Sequence, residues 1–251
     1  MAAVITSATN PRLKLVRKLG GRRQREQLGL FACEGEDLVT AALDAGLAPV
    51  EALVDAERPA LQDRLPRAAA VAPPLLAELS ALGHPPRVIA VFRRADLPAL
   101  PATAPPAGLA LWRVGDPGNL GTILRAADAL GPAFVALSPG CADPTSPKAL
   151  RASAGSIVRV PLGRFDEAPG RRVALVARGG RPLAELDLSP PTTFVLGSER
   201  EGLPEQVIRA CDERASIPLA PGAESLNVAI AGAIALYERS RAVTPSGPAP
   251  P

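Results

Sequence analysis

The sequence predicts an α/β protein with a mostly parallel sheet, divided into two modest domains. Short apolar runs alternate with stretches of helical period from about residue 30 onward, the pattern of strands joined by helices. The 47% apolar content of the 251 residues is ample for packed cores. A proline-rich stretch without element signals, residues 98–107, reads as a semi-rigid linker between a first domain at 1–97 and a second at 108–242.

In chain order, Leu13, Val16 and Leu19 at helical intervals predict a basic helix, broken at Gly20-Gly21 and followed by a second basic stretch. A strand follows at 30–35, a helix at 36–45 stopped by Gly46, a strand at 50–54, a helix at 74–82 and a strand at 88–92. The second domain reads as strand 109–114, helix 120–130, strand 133–137, a Pro/Gly loop at 138–147 and a short helix from 148. Strands near 157–160, 173–177 and 193–196, helix 204–211 and strand 215–219 come next. The last helix is signalled by Leu226, Ile230, Ile234 and Tyr237, with Glu224 or Ser225 as its expected cap. Residues 243–251 read as a disordered tail.

Composition excludes several classes of function. Aromatics are 3%, too few for stacking platforms that bind nucleic acid through exposed rings. Cys33, Cys141 and Cys211 are odd in number and widely spaced, which fits reduced thiols in a cytoplasmic protein and neither zinc nor a disulfide framework. His84 is the single histidine and lies in a proline-flanked turn, which excludes a multi-histidine metal site; no metal site and no Ser-His-Asp mechanism are expected. No apolar run reaches membrane-spanning length and no signal peptide is read. Net charge is only +3, but it is unevenly spread: Arg12, Lys14, Arg17, Lys18, Arg22, Arg23 and Arg25 all precede the first acid, Glu26. Unbalanced charge of one sign invites a polyanion, and release of its counterions favours RNA or DNA contact.

Three stretches of the second domain carry polar groups at strand ends. The first, Gly115-Asp-Pro-Gly-Asn-Leu-Gly-Thr-Ile-Leu-Arg125, spaces its glycines unlike either common phosphate cradle and holds Asn119 and Arg125. The second is Phe194-Val-Leu-Gly-Ser-Glu-Arg-Glu-Gly-Leu-Pro204, where Gly197 and Gly202 let backbone approach a ligand. The third runs from Ser216 through Glu224-Ser-Leu-Asn227 into the last helix.

Together they resemble, in order, the three motifs of the SpoU (TrmH-type) branch of the SPOUT RNA methyltransferases: N-L-G-T-I-L-R-A-A, L-G-S-E-R-E-G-L and I-P-L with E-S-L-N-V-A-I-A. Upstream, I-T-S-A-T-N-P-R-L-K and L-F-A-C-E-G-E-D-L-V resemble the family's L30e-like substrate-binding domain, and residues 146–161 resemble its stretch between motifs one and two. The resemblance implies a deep C-terminal trefoil knot, S-adenosylmethionine as methyl donor, an RNA 2′-hydroxyl as acceptor and a homodimer. It places the donor against Leu196, Gly197, Ser198, Gly202, Ile217, Leu219, Ser225 and Leu226, and makes Asn119, Arg125, Glu199, Ser225 and Asn227 the polar residues of the reaction centre. Arg125 would stand beside the 2′-hydroxyl. A guanidinium effectively never gives up its proton, so its expected part is to clamp a phosphate and stabilise the developing alkoxide. The N-terminal basic residues, with Lys148 and Arg151, would supply sequence-independent phosphate attraction.

The small residues Ala229, Ala231, Gly232, Ala233 and Ala235 suit a dimer interface or ordinary core packing alike. Pro86-Arg87 stands where the family often has Gln-Gly, a departure at the RNA-contacting edge of the first domain. The expected substrate is structured RNA, ribosomal before transfer RNA. The alternatives are a transfer RNA 2′-O-methyltransferase and a non-catalytic knotted RNA-binding or ribosome-assembly factor.

Overall fold

Helix α1 (Pro11–Leu19) begins where Asn10 Oδ1 accepts from the Arg12 amide at 2.9 Å, with Pro11 preset for the first turn. In this computed structural model, which describes residues 4–80 and 85–243, the chain continues as α2 (Arg22–Leu28), β1 (Leu30–Glu34), α3 (Glu36–Asp44), β2 (Glu51–Asp55), β3 (Ala69–Val71), α4 (Pro73–Leu79) and β4 (Val88–Arg93). It then forms β5 (Ala107–Leu111), α5 (Pro117–Ala129), β6 (Ala133–Leu137), α6 (Pro147–Ser153), β7 (Leu162–Arg164) and β8 (Arg171–Leu175). The last elements are β9 (Arg181–Pro182), β10 (Thr192–Leu196), α7 (Glu205–Arg209), β11 (Glu213–Ser216) and α8 (Val228–Val243). The turn expected around His84, the end of the helix expected at 74–82 and all but the first residue of the expected tail lie outside the described residues.

The contacts divide the chain into two units, Met1–Leu97 with Asp143–Arg159, and Pro98–Ala142 with Val160–Pro251. The first is built on a four-stranded sheet of order β1-β4-β2-β3, antiparallel except between β2 and β3. Leu13, Val16 and Leu19 of α1 bury fully against Leu53, Val71, Leu76, Ile89 and Val91. Each such side chain contributes about 1.5–3 kcal/mol through the water it leaves. The second unit holds seven parallel strands in the order β7-β6-β5-β10-β8-β11-β9. Its central strands β5 and β10 are buried at every position, as a sheet covered on both faces requires.

Several boundaries differ from the sequence reading. Residues 157–160 are not a strand: Ser156–Val158 is a 3-10 turn, and bonding to β6 begins at Pro161, whose carbonyl accepts from the Val135 amide at 3.0 Å although its nitrogen has no N–H to give. The strand expected at 109–114 starts earlier and ends at Leu111. That expected at 215–219 ends at Ser216, ahead of Pro218. The short strands β3 and β9 carry too few residues to announce themselves. The proline-rich segment is anchored in the second unit, where the Leu100 amide donates to Leu162 O and the Leu162 amide to Pro98 O, both at 2.9 Å.

The apolar positions that signal α8 are not the ones it buries. Ile230 and Tyr237 are 51% and 50% exposed, whereas Val228, Ala229, Gly232, Ala235 and Leu236 pack inward. Small side chains let the helix backbone close on the sheet: a Cβ on Gly232 would stand 3.3 Å from Leu109 Cδ1.

Arg25 corrects another expectation. It is 3% exposed, so it cannot serve a solvent-borne phosphate. Its Nε donates to Asp143 Oδ2 at 2.8 Å and its Nη1 to the carbonyls of Leu19 and Gly20, while Arg94 Nη1 lies 3.3 Å from Asp143 Oδ1. Asp143 also accepts from the Thr145 amide and hydroxyl. These bonds fix the inserted segment 143–159 to the first unit.

Burial alone would push the Asp143 carboxyl up, but the Thr145 donors, Arg25 and Arg94 outweigh it and hold it below the ordinary carboxylate range. A carboxyl held lower in the folded chain than in the unfolded one adds stability above its unfolded value, about 3.9, and loses it as pH falls through the folded value. Asp143→Asn is therefore expected to cost about 3 kcal/mol near neutral pH by stranding the buried Arg25. It should also flatten the fall of the urea midpoint that the unaltered protein shows as pH drops below about 4. An acid limb equally steep in the variant would contradict this assignment.

Candidate active site

The C-terminal ends of β8, β10 and β11 open on a cavity of about 500 Å³, within the range of roughly 300–1,000 Å³ usual for small-molecule sites. In an open parallel sheet a ligand binds outside the carboxyl ends of the strands, where the direction of strand addition reverses. Here β6 and β7 are added on one side of β5, and β10 and β8 lie on the other.

Leu175, Val176 and Ala177 form one wall, the loop after β10 from Gly197 to Gly202 a second, and Ile217, Leu219 and the entry to α8 the rest. The loop after β10 folds tightly. The Gly202 amide donates to Ser198 O at 3.0 Å and the Glu201 amide to Ser198 Oγ at 3.3 Å. A Cβ on Gly197 would collide with the Gly202 carbonyl group and the Leu203 nitrogen, so only glycine allows this return.

Three loops meet through side-chain hydrogen bonds at one edge of this cavity. Asp116 caps α5, its Oδ1 accepting from the Asn119 amide at 2.8 Å. Asn119 Nδ2 donates to Glu199 Oε1 at 2.9 Å, and Asn227 Nδ2 donates to Asn119 Oδ1 at 3.0 Å. Asn227 Oδ1 accepts from the Ala229 amide at 2.9 Å and the Ile230 amide at 3.4 Å, so Asn227, and not Glu224 or Ser225, caps α8. The polarity of the chain follows from its ends. Backbone N–H groups fix Asn227 Oδ1 as acceptor, its Nδ2 must then donate, and the row ends on a carboxylate that only accepts.

Glu199 receives, besides Asn119, the amides of Asp116 at 3.4 Å and Gly115 at 3.5 Å. Burial would raise its carboxyl, but the Asn119 bond and the surrounding backbone N–H groups outweigh it, so its pKa lies below the usual value. The cavity thus keeps a carboxylate on its wall at neutral pH.

All eight residues expected to hold a donor, Leu196, Gly197, Ser198, Gly202, Ile217, Leu219, Ser225 and Leu226, line the cavity, as do Glu199 and Asn227. Asn119 joins them through its bonds to these two. Arg125 does not line it; this side chain is exposed on α5, two turns beyond Asn119. Val176, Ala177, Arg200 and Glu201 also face the cavity and were missed. Arg200 and Glu201 lay within a recognised motif, whereas Val176 and Ala177 become neighbours only through the strand order. Among the described residues no group of His, Cys, Asp and Glu could hold a metal ion.

Of the basic residues expected to meet RNA, Lys14, Arg17, Lys18, Arg22 and Arg23 are exposed on α1 and α2. Arg12 pairs with the half-buried Glu51 at 3.3 Å, while Arg17 pairs with Glu78 at 3.5 Å and Arg22 with Glu26 at 2.8 Å on the surface, where such pairs are weak. Lys148 and Arg151 are exposed on α6, which belongs to the same unit. The Cys33 thiol, pushed up to about 12 by burial and the Glu34 charge, stays protonated and inert.

Comparison with known proteins agrees with this geometry. Residues 106–237 match the model of the SpoU rRNA methylase family, and residues 10–90 that of the MRM3-like substrate-binding domain. An uncharacterized tRNA/rRNA methyltransferase of Synechocystis is 36% identical over 95% of this chain and 94% of its own. A 23S rRNA (guanosine-2′-O)-methyltransferase of Bacillus subtilis, RlmP, is 32% identical over 93% of this chain and 97% of its own. The AdoMet-bound rRNA methyltransferase of Sinorhizobium meliloti superposes with a TM-score of 0.82 at 30% identity, covering 97% of this chain and 99% of that one. With motifs, fold and relatives agreeing along nearly the whole length, the chain belongs to the SpoU rRNA methylase family.

Proposed function

We propose that this protein is an S-adenosylmethionine-dependent methyltransferase acting on the ribose 2′-hydroxyl of ribosomal RNA. The observation that carries the reading is the cavity at the ends of β8, β10 and β11, with the Glu199–Asn119–Asn227 hydrogen bonds at its edge. Leu196, Ile217, Leu219 and Leu226 offer apolar surface to a flat base, while Ser198 and Ser225 offer hydroxyls to a ribose or amino-acid moiety. The Glu199 carboxylate suits a ligand whose sulfur carries positive charge. Ribosomal RNA is favoured by the Bacillus subtilis relative, a 23S rRNA methyltransferase, over the transfer RNA alternative.

The donor supplies an electrophilic methyl group on a sulfonium, which needs no metal. The protein has to bring a weakly acidic hydroxyl in line with it, and orientation of that kind is worth about 7–11 kcal/mol. Glu199, Asn119 and Asn227 hold the loops of the three motifs in register. Arg125 stays cationic, clamps a substrate phosphate and stabilises the oxygen as its proton leaves to water or phosphate. Ser225 orients the donor at the mouth of the cavity. The first unit serves as the RNA-binding domain in an L30e-like fold, with Lys14, Lys18, Arg23 and Arg151 exposed to phosphate.

The same reading includes a C-terminal trefoil knot, a homodimer and a cytoplasmic location. The knot is supported by β11, which lies between β8 and β9, and by α8, which returns to pack on α5, β5 and β10. The dimer is supported by Ile230 and Tyr237, exposed on one face of α8 two turns apart. No helix of the described residues is long and apolar enough to cross a membrane.

Transfer of tritiated methyl from the donor to 23S rRNA, with the modified ribose mapped by resistance to alkaline cleavage, tests the activity. Arg125→Ala is expected to slow transfer about 100–1,000-fold, the usual effect of losing a charge-stabilising donor, with little change in donor affinity measured by calorimetry. Full activity of that variant would favour a non-catalytic RNA-binding factor instead. Ile230→Glu is expected to convert a dimer to monomers by light scattering; an unchanged mass would place the subunit contact elsewhere.

A further inference from the structure

The turn out of β5 contains a strained residue that the chemistry described so far does not use. Arg113 has φ +53°, one of three non-glycine residues with positive φ among the described residues, the others being Leu61 and Ala154 in the first unit. Glycine would adopt this left-handed conformation without the steric cost that an arginine carries. Such strain persists where the surroundings fix it and where a side chain serves a purpose.

The surroundings do fix it. The Arg113 amide donates to Ser138 Oγ at 2.9 Å, the Trp112 amide before it to Leu196 O at 2.8 Å, and the Ala142 amide to Val114 O at 2.9 Å. The side chain runs along the backbone of Gly140, where a Cβ would meet Arg113 Nε at 3.3 Å. Its stem thus lies against Gly140, itself at φ +91°, while the residue stays exposed, with no ion pair or hydrogen bond to its guanidinium among the described residues.

The position is telling. Two residues on, the Gly115 amide reaches Glu199, and two residues of chain span at most about 7 Å. The backbone of Arg113 is therefore held beside the motif-one turn, at the end of the sheet where the cavity opens, and carries an exposed cation there. A guanidinium there suits an oxyanion with paired acceptors, which phosphate provides.

We propose that Arg113 binds a backbone phosphate of the substrate RNA next to the methylated nucleotide, and that this contact is why an arginine is kept in a conformation made for glycine. The inference rests on the reading of the protein as an RNA methyltransferase and adds a substrate contact to it.

Arg113→Gly separates this role from a structural one, because it relieves the backbone while removing the charge. The probe is a 23S rRNA transcript, measured by filter binding at several salt concentrations and by methyl transfer. The variant is expected to melt no lower than the unaltered protein and to bind the transcript about five- to tenfold more weakly. The slope of log affinity against log salt should be shallower by about 0.7–0.9, the value of one phosphate contact. In turnover the loss should fall on KM for RNA and spare KM for the donor, and Arg113→Lys should restore the salt slope. Unchanged RNA affinity and salt slope in Arg113→Gly would overturn the proposal, even with an active enzyme. A transcript bound as expected but never methylated would instead contradict the methyltransferase reading.

Discussion

Three loops from separate strands converge on the side chain of Asn119. The residue is fixed first by its own helix, since its amide is held by the Asp116 cap, and both ends of its carboxamide are then spent on the other two loops. Glu199 accepts from its Nδ2, and Asn227 Nδ2 donates to its Oδ1. Asn227 has no freedom to reverse, because its oxygen is committed to the first amides of α8. Helix capping, usually a matter of about 1 kcal/mol of local stability, here also sets the direction of a hydrogen-bond row along the edge of a ligand cavity.

The same economy governs the elements that carry these loops. The parallel sheet exposes the ends of its strands together, so the chain can bring residues 175–177, 196–202 and 217–219 to one place with little loop between strand and site. The helix behind the site is made of small residues where it meets Leu109 and Leu196, and so can lie close to the sheet. Ile230 and Tyr237 face out, while Val228 and Leu236 pack inward with the small residues. In the first unit the buried Arg25–Asp143 pair performs a comparable task, holding the insertion 143–159 through charges that desolvation would make costly if either were missing.

Much of this was legible in the residues, and where it was not the cause is physical. Alternating runs and glycine breaks located α1, α3, β1, β4, β6 and β10 to within a residue or two, because their signals are local. The motif residues expected to hold a donor do line the cavity, since short loops at strand ends leave little choice of place. Arg25 could not be told from its exposed neighbours: its partner lies 118 residues away. The α8 stripe misled because Ile230 and Tyr237 recur at helical spacing on a face that small residues had already conceded to solvent. Val176 and Ala177 reach the cavity through a strand order that no periodicity encodes.

Joined by this bond, Asn119 and Asn227 should act as one unit in assembling the site. A double-mutant cycle on single-turnover methyl transfer to 23S rRNA, with Asn119→Ala, Asn227→Ala and the double variant, tests it most directly. Members of one hydrogen-bonded row should be strongly non-additive, so the double variant should be scarcely slower than the worse single one. Losses that simply multiply would mean that the two residues work independently, and the row would not be what holds the three loops together.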